Sequence, residues 1–194
     1  EPGGAVLDPG RFPVIACEAI AKHGPGLRLY NDVQFGGYLI WRFYPPQKVF
    51  IDGRNEVYPR MLARLGRIHT EDAYADWRRL VREYGIEGAV VKYKEGKKGV
   101  LYPPERPGGP PVRGYRAWSA FLFPAPEWAL VWFDDTALVC MKRGGRGESW
   151  IARGEYKDYN PEDRDYLLDR ARNDPAFAAR LRASMDSASA GISS

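Results

Sequence analysis

Cysteine and histidine are scarce in this chain, and long apolar runs are missing from it. The 194 residues include two cysteines, Cys17 and Cys140, and two histidines, His23 and His69. Neither histidine has a second histidine or a cysteine at the spacing of zinc ligands, so we predict no metal site and no cofactor. The sequence also lacks any apolar run near the roughly 20 residues that cross a bilayer. We therefore expect the chain as given to be a soluble domain.

The few cysteines and histidines have simple structural interpretations. Cys17 falls on a predicted helix face and Cys140 in a predicted strand, so we expect two buried thiols. A disulfide between them is the alternative in an oxidising compartment. His23 falls at a helix end, where a charged imidazole suits the helix dipole. Because no serine or cysteine lies on a nucleophile turn, we predict no catalytic residue in this chain.

Charge of one sign is also in short supply. Lys and Arg total 29 against 25 Asp and Glu, and the two signs are interleaved along most of the chain. That pattern is typical of a solvated surface. The one compact basic run, at 92–98, is predicted as an exposed loop, with contact to anionic lipid headgroups or nucleic acid as the alternative. No nucleic-acid-binding motif accompanies it, so we predict no nucleic-acid partner.

Apolar residues make up 44% of the chain, enough for one sizeable core. Periodicity predicts helices over 12–23, 37–43 and 70–84, strands over 27–30, 48–51 and 88–93, and a hairpin of two strands over 128–133 and 136–142. This alternation predicts an α/β fold with three layers, a mostly parallel or mixed sheet and a C-terminal β-hairpin, followed by two appended helices.

Several side chains are predicted to face the core. In the first helix these are Val14, Ile15, Cys17 and Ala21, and in the helix over 70–84 they are Ala73, Trp77, Leu80, Val81 and Tyr84. Tyr38 and Trp41 are expected to pack the short helix over 37–43 against the sheet. Thr70 is the predicted N-cap of the helix to Tyr84, with Glu71 and Asp72 in its first turn.

Two parts of the chain are predicted. Residues 1–150 form the α/β soluble domain, in which 95–114 are expected to be an irregular Pro- and Gly-rich flap, either functional or a tolerated insertion. Residues 151–194 form a helical extension, because Asn160-Pro161 and Asp174-Pro175 each supply a cap followed by proline. Its inward residues are predicted to be Leu167, Leu168, Ala171, Phe177, Leu181 and Met185. The tail at 187–194 is predicted to be disordered.

Two predicted strands run directly into polar clusters, which makes their ends the candidate ligand site. The candidate binding residues are Asn31, Asp32, Gln34, Gly36, Gly37, Asp52, Gly53 and Arg54. The two glycines are expected to open a helix, whose free N–H groups, with Arg54 nearby, favour a phosphate or carboxylate. The alternative is structural: the glycines let the helix pack closely, and Asp32 and Asp52 cap loops.

Asp134 and Asp135 are adjacent acidic residues in the predicted hairpin, and two interpretations of them are open. We predict a tight turn of the hairpin, because aspartate is well suited to turns. The alternative is a pair of carboxylates that bind a metal or perform acid/base chemistry.

Residues 27–58 also resemble a known family. The carrying pattern is Asn31-Asp32, then FGGYLIWRFYP from Phe35, KVFIDGR from Lys48, and Tyr58. It resembles the C-terminal soluble region of bacterial multi-pass membrane proteins related to lipid-linked-sugar glycosyltransferases and, more remotely, the soluble domain of the oligosaccharyltransferase catalytic subunit. In that subunit a Trp-Trp-Asp-Tyr-Gly motif helps to hold the acceptor peptide. Here Gln34 stands where the motif has its acidic residue.

The resemblance implies a function for the whole unit. It implies an extracytoplasmic (periplasmic) domain of a bacterial inner-membrane glycosyltransferase-like protein, which helps to position an acceptor or a lipid-linked sugar. Its partner is then the membrane-embedded part of the same polypeptide, which by resemblance carries the catalytic carboxylates. This chain alone is therefore expected not to transfer sugar. The alternative is a non-catalytic protein-interaction module that recruits a partner through the flap or the C-terminal helices.

Overall fold

The structure, a computed structural model, describes residues 8–68, 73–93, 96–102 and 112–192. Within these ranges the helices are α1 (Val14–His23), α2 (Val33–Phe43), α3 (Pro59–Ile68), α4 (Ala73–Tyr84), α5 (Trp118–Leu122), α6 (Glu148–Gly154), α7 (Arg164–Asn173) and α8 (Pro175–Ile192). The strands are β1 (Leu29–Asn31), β2 (Gly88–Lys92), β3 (Lys97–Tyr102), β4 (Val112–Ala117), β5 (Trp128–Phe133) and β6 (Ala137–Lys142). None of the described helices is both long enough and apolar enough to cross a bilayer.

Four of the strands form a mixed sheet in the order β1-β2-β6-β5. β1 and β2 are parallel and in register from Leu29 opposite Gly88 to Asn31 opposite Val90. β6 is antiparallel to both β2 and β5, and with β5 it forms the predicted hairpin. The α/β fold with a mixed sheet is therefore confirmed, and β1 lies at one edge of the sheet.

Helices cover both faces of this sheet, because side chains alternate along each strand. On β6, Val139 and Met141 join a core cluster with α1, α2 and α6, whereas Leu138 and Cys140 join a second cluster with α3, α4 and α5. The three-layer arrangement is confirmed. Cys17 belongs to the first cluster, so the sheet lies between the two thiols.

The predicted helices over 12–23 and 70–84 are present as α1 and α4, with some corrections to their buried faces. α1 buries Ala16, Cys17 and Ile20, but Ile15 and Ala21 are exposed, so their predicted burial is wrong. In α4 the predicted Trp77, Leu80 and Val81 are buried, whereas Tyr84 is exposed. Ile15 and Ala21 adjoin the buried Ala16 and Ile20 in the sequence, whereas Tyr84 is the last residue of α4. Thr70, Glu71 and Asp72 lie outside the described residues, as does His69.

The short helix near the candidate site differs most from its prediction. α2 begins at Val33, four residues before the expected start, after Asp32 in an extended conformation. Tyr38 is buried as predicted, but Trp41 is 68% exposed and does not pack the helix against the sheet. α3 was missed by the periodicity analysis, although Pro59 in its first turn and Leu65 and Ile68 on its buried face are helix signals.

The expected flap over 95–114 is wrong at both of its ends. β3 and β4 pair as an antiparallel hairpin from Lys97 opposite Ala117 to Tyr102 opposite Val112. These segments carry β-branched and aromatic residues, while the prolines are concentrated at 103–111, outside the described residues.

The two C-terminal helices α7 and α8 are confirmed, and so is the cap at Asp174, but the predicted cap at Asn160 belongs to a one-turn 3₁₀ helix over Pro161–Asp163 that precedes α7. Asn160 Oδ1 accepts a hydrogen bond from the Glu162 backbone N–H at 3.1 Å, and Asp174 Oδ1 accepts one from Phe177 at 2.9 Å. Leu167, Phe177 and Leu181 form a buried cluster, and Ala171 packs against it. Leu168 and Met185 are exposed, so their predicted burial is wrong. Disorder from 187 onward is also wrong, because α8 continues to Ile192.

The separation of the two thiols by the sheet gives a redox prediction. Burial raises the pKa of Cys17 to about 12 and also raises the pKa of Cys140. Air-oxidised native protein should therefore keep two free thiols. Alkylation in denaturant without reductant, followed by mass spectrometry, should show two modifications. A chain that takes up none and lacks two hydrogens would contradict the arrangement of the two clusters.

Candidate functional site

Asn31 joins the two polar clusters that the sequence predicted to share an edge. Its side chain is 1% exposed at the end of β1. Asn31 Nδ2 donates to the carbonyl oxygens of Ile51 at 2.7 Å and Asp32 at 2.9 Å, and Oδ1 accepts from the Phe50 N–H at 2.8 Å. One amide side chain thus satisfies main-chain groups that a neighbouring strand would otherwise bond.

This contact explains why the predicted strand over 48–51 is wrong. The segment lies beside the edge strand β1, but its hydrogen bonds at Phe50 and Ile51 go to the Asn31 side chain and no ladder forms. The chain then leaves the sheet edge and turns at Asp52, where the loop carries its polar residues.

Gly36 brings α2 against the same loop. A Cβ at this position would lie 2.2 Å from the Ile51 carbonyl oxygen and 2.5 Å from Asp52 Cα. The position therefore requires glycine because of a close backbone approach. Gly37, the next residue, has nothing within 4 Å of such a Cβ. Both glycines lie inside α2, where their backbone N–H groups form the hydrogen bonds of the helix. Gly36 and Gly37 therefore do not supply the free N–H groups that were expected at a helix start.

Asp32 and Gln34 face the end of β2. Asp32 Oδ2 accepts the Lys92 backbone N–H at 2.5 Å, and Gln34 Oε1 lies 3.4 Å from Lys92 Nζ. Asp32 makes no side-chain cap to α2. Its carboxylate therefore connects the start of α2 to β2, and it lines a different cavity from Arg54.

Asp52 is the most constrained ionisable group of the candidate set. Its side chain is 2% exposed and accepts hydrogen bonds from Arg54 Nε at 2.8 Å, Arg54 Nη2 at 2.6 Å, the Arg54 backbone N–H at 3.0 Å and the Tyr58 hydroxyl at 3.3 Å. The hydrogen bonds from the Arg54 side chain are the main reason that the pKa of Asp52 is lowered to about 2. The pair is therefore fully ionised at neutral pH, and Gly53 lies exposed between its two members.

Arg54 extends from this pair into an open groove of about 400 Å³, which we call the Arg54 groove. Its lining residues are Ile40, Tyr44, Gln47, Lys48, Val49, Arg54 and Tyr58. The Arg54 side chain is 64% exposed although two of its nitrogens bond Asp52. Lys48 is exposed and has no ion-pair partner among the described residues. The groove combines two cations with two tyrosines.

Of the seven groove residues, Arg54 alone was among the predicted binding residues, and the missed ones include the two tyrosines and the second cation, Tyr44, Tyr58 and Lys48. Tyr44 and Lys48 flank the Pro45-Pro46 turn, and Tyr58 follows the Asp52 loop. The signal that points to them is the mixture of aromatic and basic residues in loops on either side of one buried segment. The sequence analysis gave weight to the glycines and carboxylates instead, and these are used to hold the loop.

The other acidic and titratable features have structural roles. Asp134 Oδ1 accepts the N–H groups of Thr136 at 2.7 Å and Ala137 at 2.8 Å, which confirms the predicted turn. Across the described ranges, no group of three or more potential ligands is placed to hold a metal ion. Burial lowers the pKa of His23, whose ring lies 5.4 Å from that of Trp150, and this disfavours a charged imidazole at the end of α1.

A second cavity, of about 180 Å³, lies between α5, the β5–β6 hairpin and the C-terminal helices. Arg116 on its wall is paired with Asp163, and Glu155 is paired with Arg143. Asp158 is paired with Arg180, while Arg170 lies over the Phe177 ring and has no ion pair in the described part of the chain. The Arg54 groove is the better candidate for an anionic ligand, since three carboxylates line the second cavity, whereas the residues described as lining the groove include two cations and no carboxylate.

Comparison with known proteins identified no family to which this chain can be matched, and no significant similarity to a characterised protein or to a solved structure.

The glycine pair in α2 gives a matched mutational test. Gly36→Ala should destabilise the protein by about 3 kcal/mol or more, because the new methyl group meets backbone atoms that cannot rotate away. Gly37→Ala should stabilise it by roughly 0.5–1 kcal/mol through helix propensity. Urea denaturation of the two variants measures both values. Equal effects would contradict the close packing of α2 on the Asp52 loop.

The Asp52–Arg54 pair should be visible in the pH dependence of stability. Because the folded-state pKa of Asp52 is lowered from 3.8 to about 2, its contribution is complete above the unfolded value and is lost as the pH falls toward the folded one. The difference in free energy of unfolding between wild type and Asp52→Asn should be constant near neutrality and shrink between about pH 4 and pH 2. Asp135→Asn, at an exposed carboxylate, is the control. A difference that does not change with pH would argue against the buried ion pair.

Proposed function

We propose that this chain is a non-catalytic domain of a membrane glycosyltransferase-like protein, on the periplasmic side of a bacterial inner membrane. In this proposal the Arg54 groove positions the phosphate-bearing head of a lipid-linked sugar for a reaction carried out by the membrane-embedded part of the same polypeptide. The observation that carries the proposal is an exposed guanidinium held in place by a buried carboxylate, inside a groove that an exposed lysine and two tyrosines also line. The resemblance of residues 27–58 supplies the class of protein.

Arg54 is well suited to bind a phosphate in this setting. The two hydrogen bonds to Asp52 fix the plane of the guanidinium, so little further side-chain entropy is lost when a ligand binds. A guanidinium has five N–H donors; in Arg54, Nε and Nη2 bond Asp52 and Nη2 also lies 3.5 Å from the Tyr58 hydroxyl, so the Nη1 donors remain for a ligand. Phosphate oxygens accept such donors in the same planar geometry as a carboxylate.

The remaining groove residues suit the rest of such a ligand. Lys48 adds a second positive charge to the groove, one with no ion pair in the described ranges, and this charge favours a phosphate over a neutral sugar. Tyr44 and Tyr58 supply aromatic surface against which the apolar face of a sugar ring packs, with hydroxyls at their edges.

The carboxylates of the site support a positioning role and not catalysis. Asp52 is bonded to Arg54 and Tyr58, and Asp32 is bonded to the Lys92 backbone, so each has a structural use. A general base must reach the proton that it removes, and a buried carboxylate with a pKa near 2 is poorly matched to that task. By resemblance, the catalytic carboxylates belong to the membrane part.

Ligand titration of the full chain tests the groove. Hexose 1-phosphates and a short-chain prenyl-phosphate hexose should shift backbone amide resonances of residues 47–54 in NMR spectra, and free hexose should not. Lys48→Gln should weaken binding about fivefold, as expected for one exposed charge, and Tyr44→Ala should weaken it as well. Lys22→Gln and Tyr115→Ala remove an exposed lysine and an equally exposed tyrosine elsewhere, and should bind as wild type does.

Arg54 itself is a poor probe, since its removal also leaves the buried Asp52 without its main partner. If no phosphate ligand perturbs the groove, or if Lys48→Gln binds as tightly as Lys22→Gln, the proposal fails. The protein-interaction module is then the remaining candidate function.

A further inference from the structure

Large apolar side chains are exposed on the surface around the Arg54 groove. Trp41 is 68% exposed, Tyr44 is 65% exposed and Val57 is 62% exposed. Trp77, Trp128 and Trp150 are each buried in the core, so an exposed tryptophan is not the rule in this chain. Exposed apolar side chains that are grouped in one area of a protein mark a surface that binds a protein, a membrane or a ligand.

These side chains belong to one continuous surface. Trp41 and Tyr44 lie one turn apart at the end of α2, and Tyr44 lines the Arg54 groove. Tyr58 lines that groove and also an adjoining cavity of about 470 Å³, which Val57 and Arg60 line as well. We call this surface the Trp41 face. It consists of Trp41, Tyr44, Lys48, Val57 and Arg60.

The charge of this stretch is strongly positive. Residues 41–64 carry five cations: Arg42, Lys48, Arg54, Arg60 and Arg64. Two of them are neutralised in ion pairs, Arg54 by Asp52 at 2.6 Å and Arg64 by Glu83 at 2.7 Å. The other three are not ion-paired within the described part of the chain. The same stretch contains one exposed carboxylate, that of Glu56, so its exposed charge remains positive.

We propose that the Trp41 face docks on the headgroup region of a bilayer that contains anionic phospholipids. Tryptophan and tyrosine are favoured at that depth because their rings are apolar while their polar edges stay hydrated. Arginine and lysine around them are attracted to lipid phosphates. The charge of the face favours an anionic bilayer over a protein partner, since Lys48, a residue type depleted at protein interfaces, and Arg60 have no ion pair in the described part of the chain.

This inference goes beyond the proposed function and does not depend on it, because a bilayer contacts the surface around the groove whether or not the groove binds a sugar phosphate. Docking would hold the groove at the height of lipid headgroups. A phosphate anchored in the bilayer then reaches Arg54 without leaving the membrane surface.

Vesicle binding by the full chain tests this surface. The protein should sediment with vesicles of phosphatidylglycerol and phosphatidylcholine in equal parts, and much less with phosphatidylcholine alone. Raising the salt concentration should weaken binding, because exposed charges are screened. Tryptophan emission should shift to shorter wavelength with the anionic vesicles, and Trp41→Phe should bind but lose most of that shift, since Trp41 is highly exposed in the free protein.

Variants on and off the face separate specific docking from general attraction to a negative surface. Arg60→Gln should lower partitioning onto anionic vesicles about fivefold, as expected for one cation at an anionic surface. Trp41→Ala should also lower this partitioning. Lys22→Gln and Tyr115→Ala should bind as wild type does. Thermal unfolding should be nearly unchanged in all four, because each replaced side chain is exposed.

Two outcomes would overturn the inference. One is sedimentation with anionic vesicles no greater than with neutral ones. The other is binding that Lys22→Gln weakens as much as Arg60→Gln does, which would indicate attraction by net charge alone. Sugar-phosphate titration without vesicles reports separately on the groove: Trp41→Ala should leave that titration unchanged, whereas Lys48→Gln should not.

Discussion

The buried amide of Asn31 is the interaction on which the candidate site depends. Its hydrogen bonds to Phe50, Ile51 and Asp32 hold an irregular segment against the edge of the sheet. A buried amide that lost these partners would leave unsatisfied main-chain groups, which costs about 1–3 kcal/mol for each group. These hydrogen bonds also protect the edge of β1 from pairing with another strand, because the segment covers this edge without adding a strand to the sheet.

The loop fixed in this way determines the chemistry that the site can perform. With Ile51 held by Asn31, and with α2 at backbone contact through Gly36, the Asp52 carboxylate is buried and must be paired. Arg54 is the partner, and it points outward because Asp52 lies beneath it. The result is a rigid cation on the surface, which suits binding and offers no free base. The same loop carries Val57 and Tyr58 to the surface beside the groove.

Much of the fold follows from the sequence because its signals are local. The hairpin around Asp134 and the proline-initiated helix that begins at Pro175 were predicted from turn residues, caps and periodicity. The site was predicted only in part. Asn31 and Asp52 were identified, but Gly36 was assigned to a helix start because its real constraint is a backbone segment fifteen residues away in the sequence. Trp41 was assigned to the core because hydrophobicity alone cannot separate a buried ring from an exposed one.

The central claim is that the Arg54 groove lies at the membrane surface and holds a phosphate-bearing sugar. Photo-crosslinking in the native host tests it most directly, with Tyr44→p-benzoylphenylalanine placed at the exposed rim of the groove. We expect an adduct in the membrane fraction. This adduct should contain lipid and should release a sugar phosphate on mild acid treatment. Adducts with other proteins alone, recovered in the absence of membranes, would contradict it and would favour a protein-interaction module.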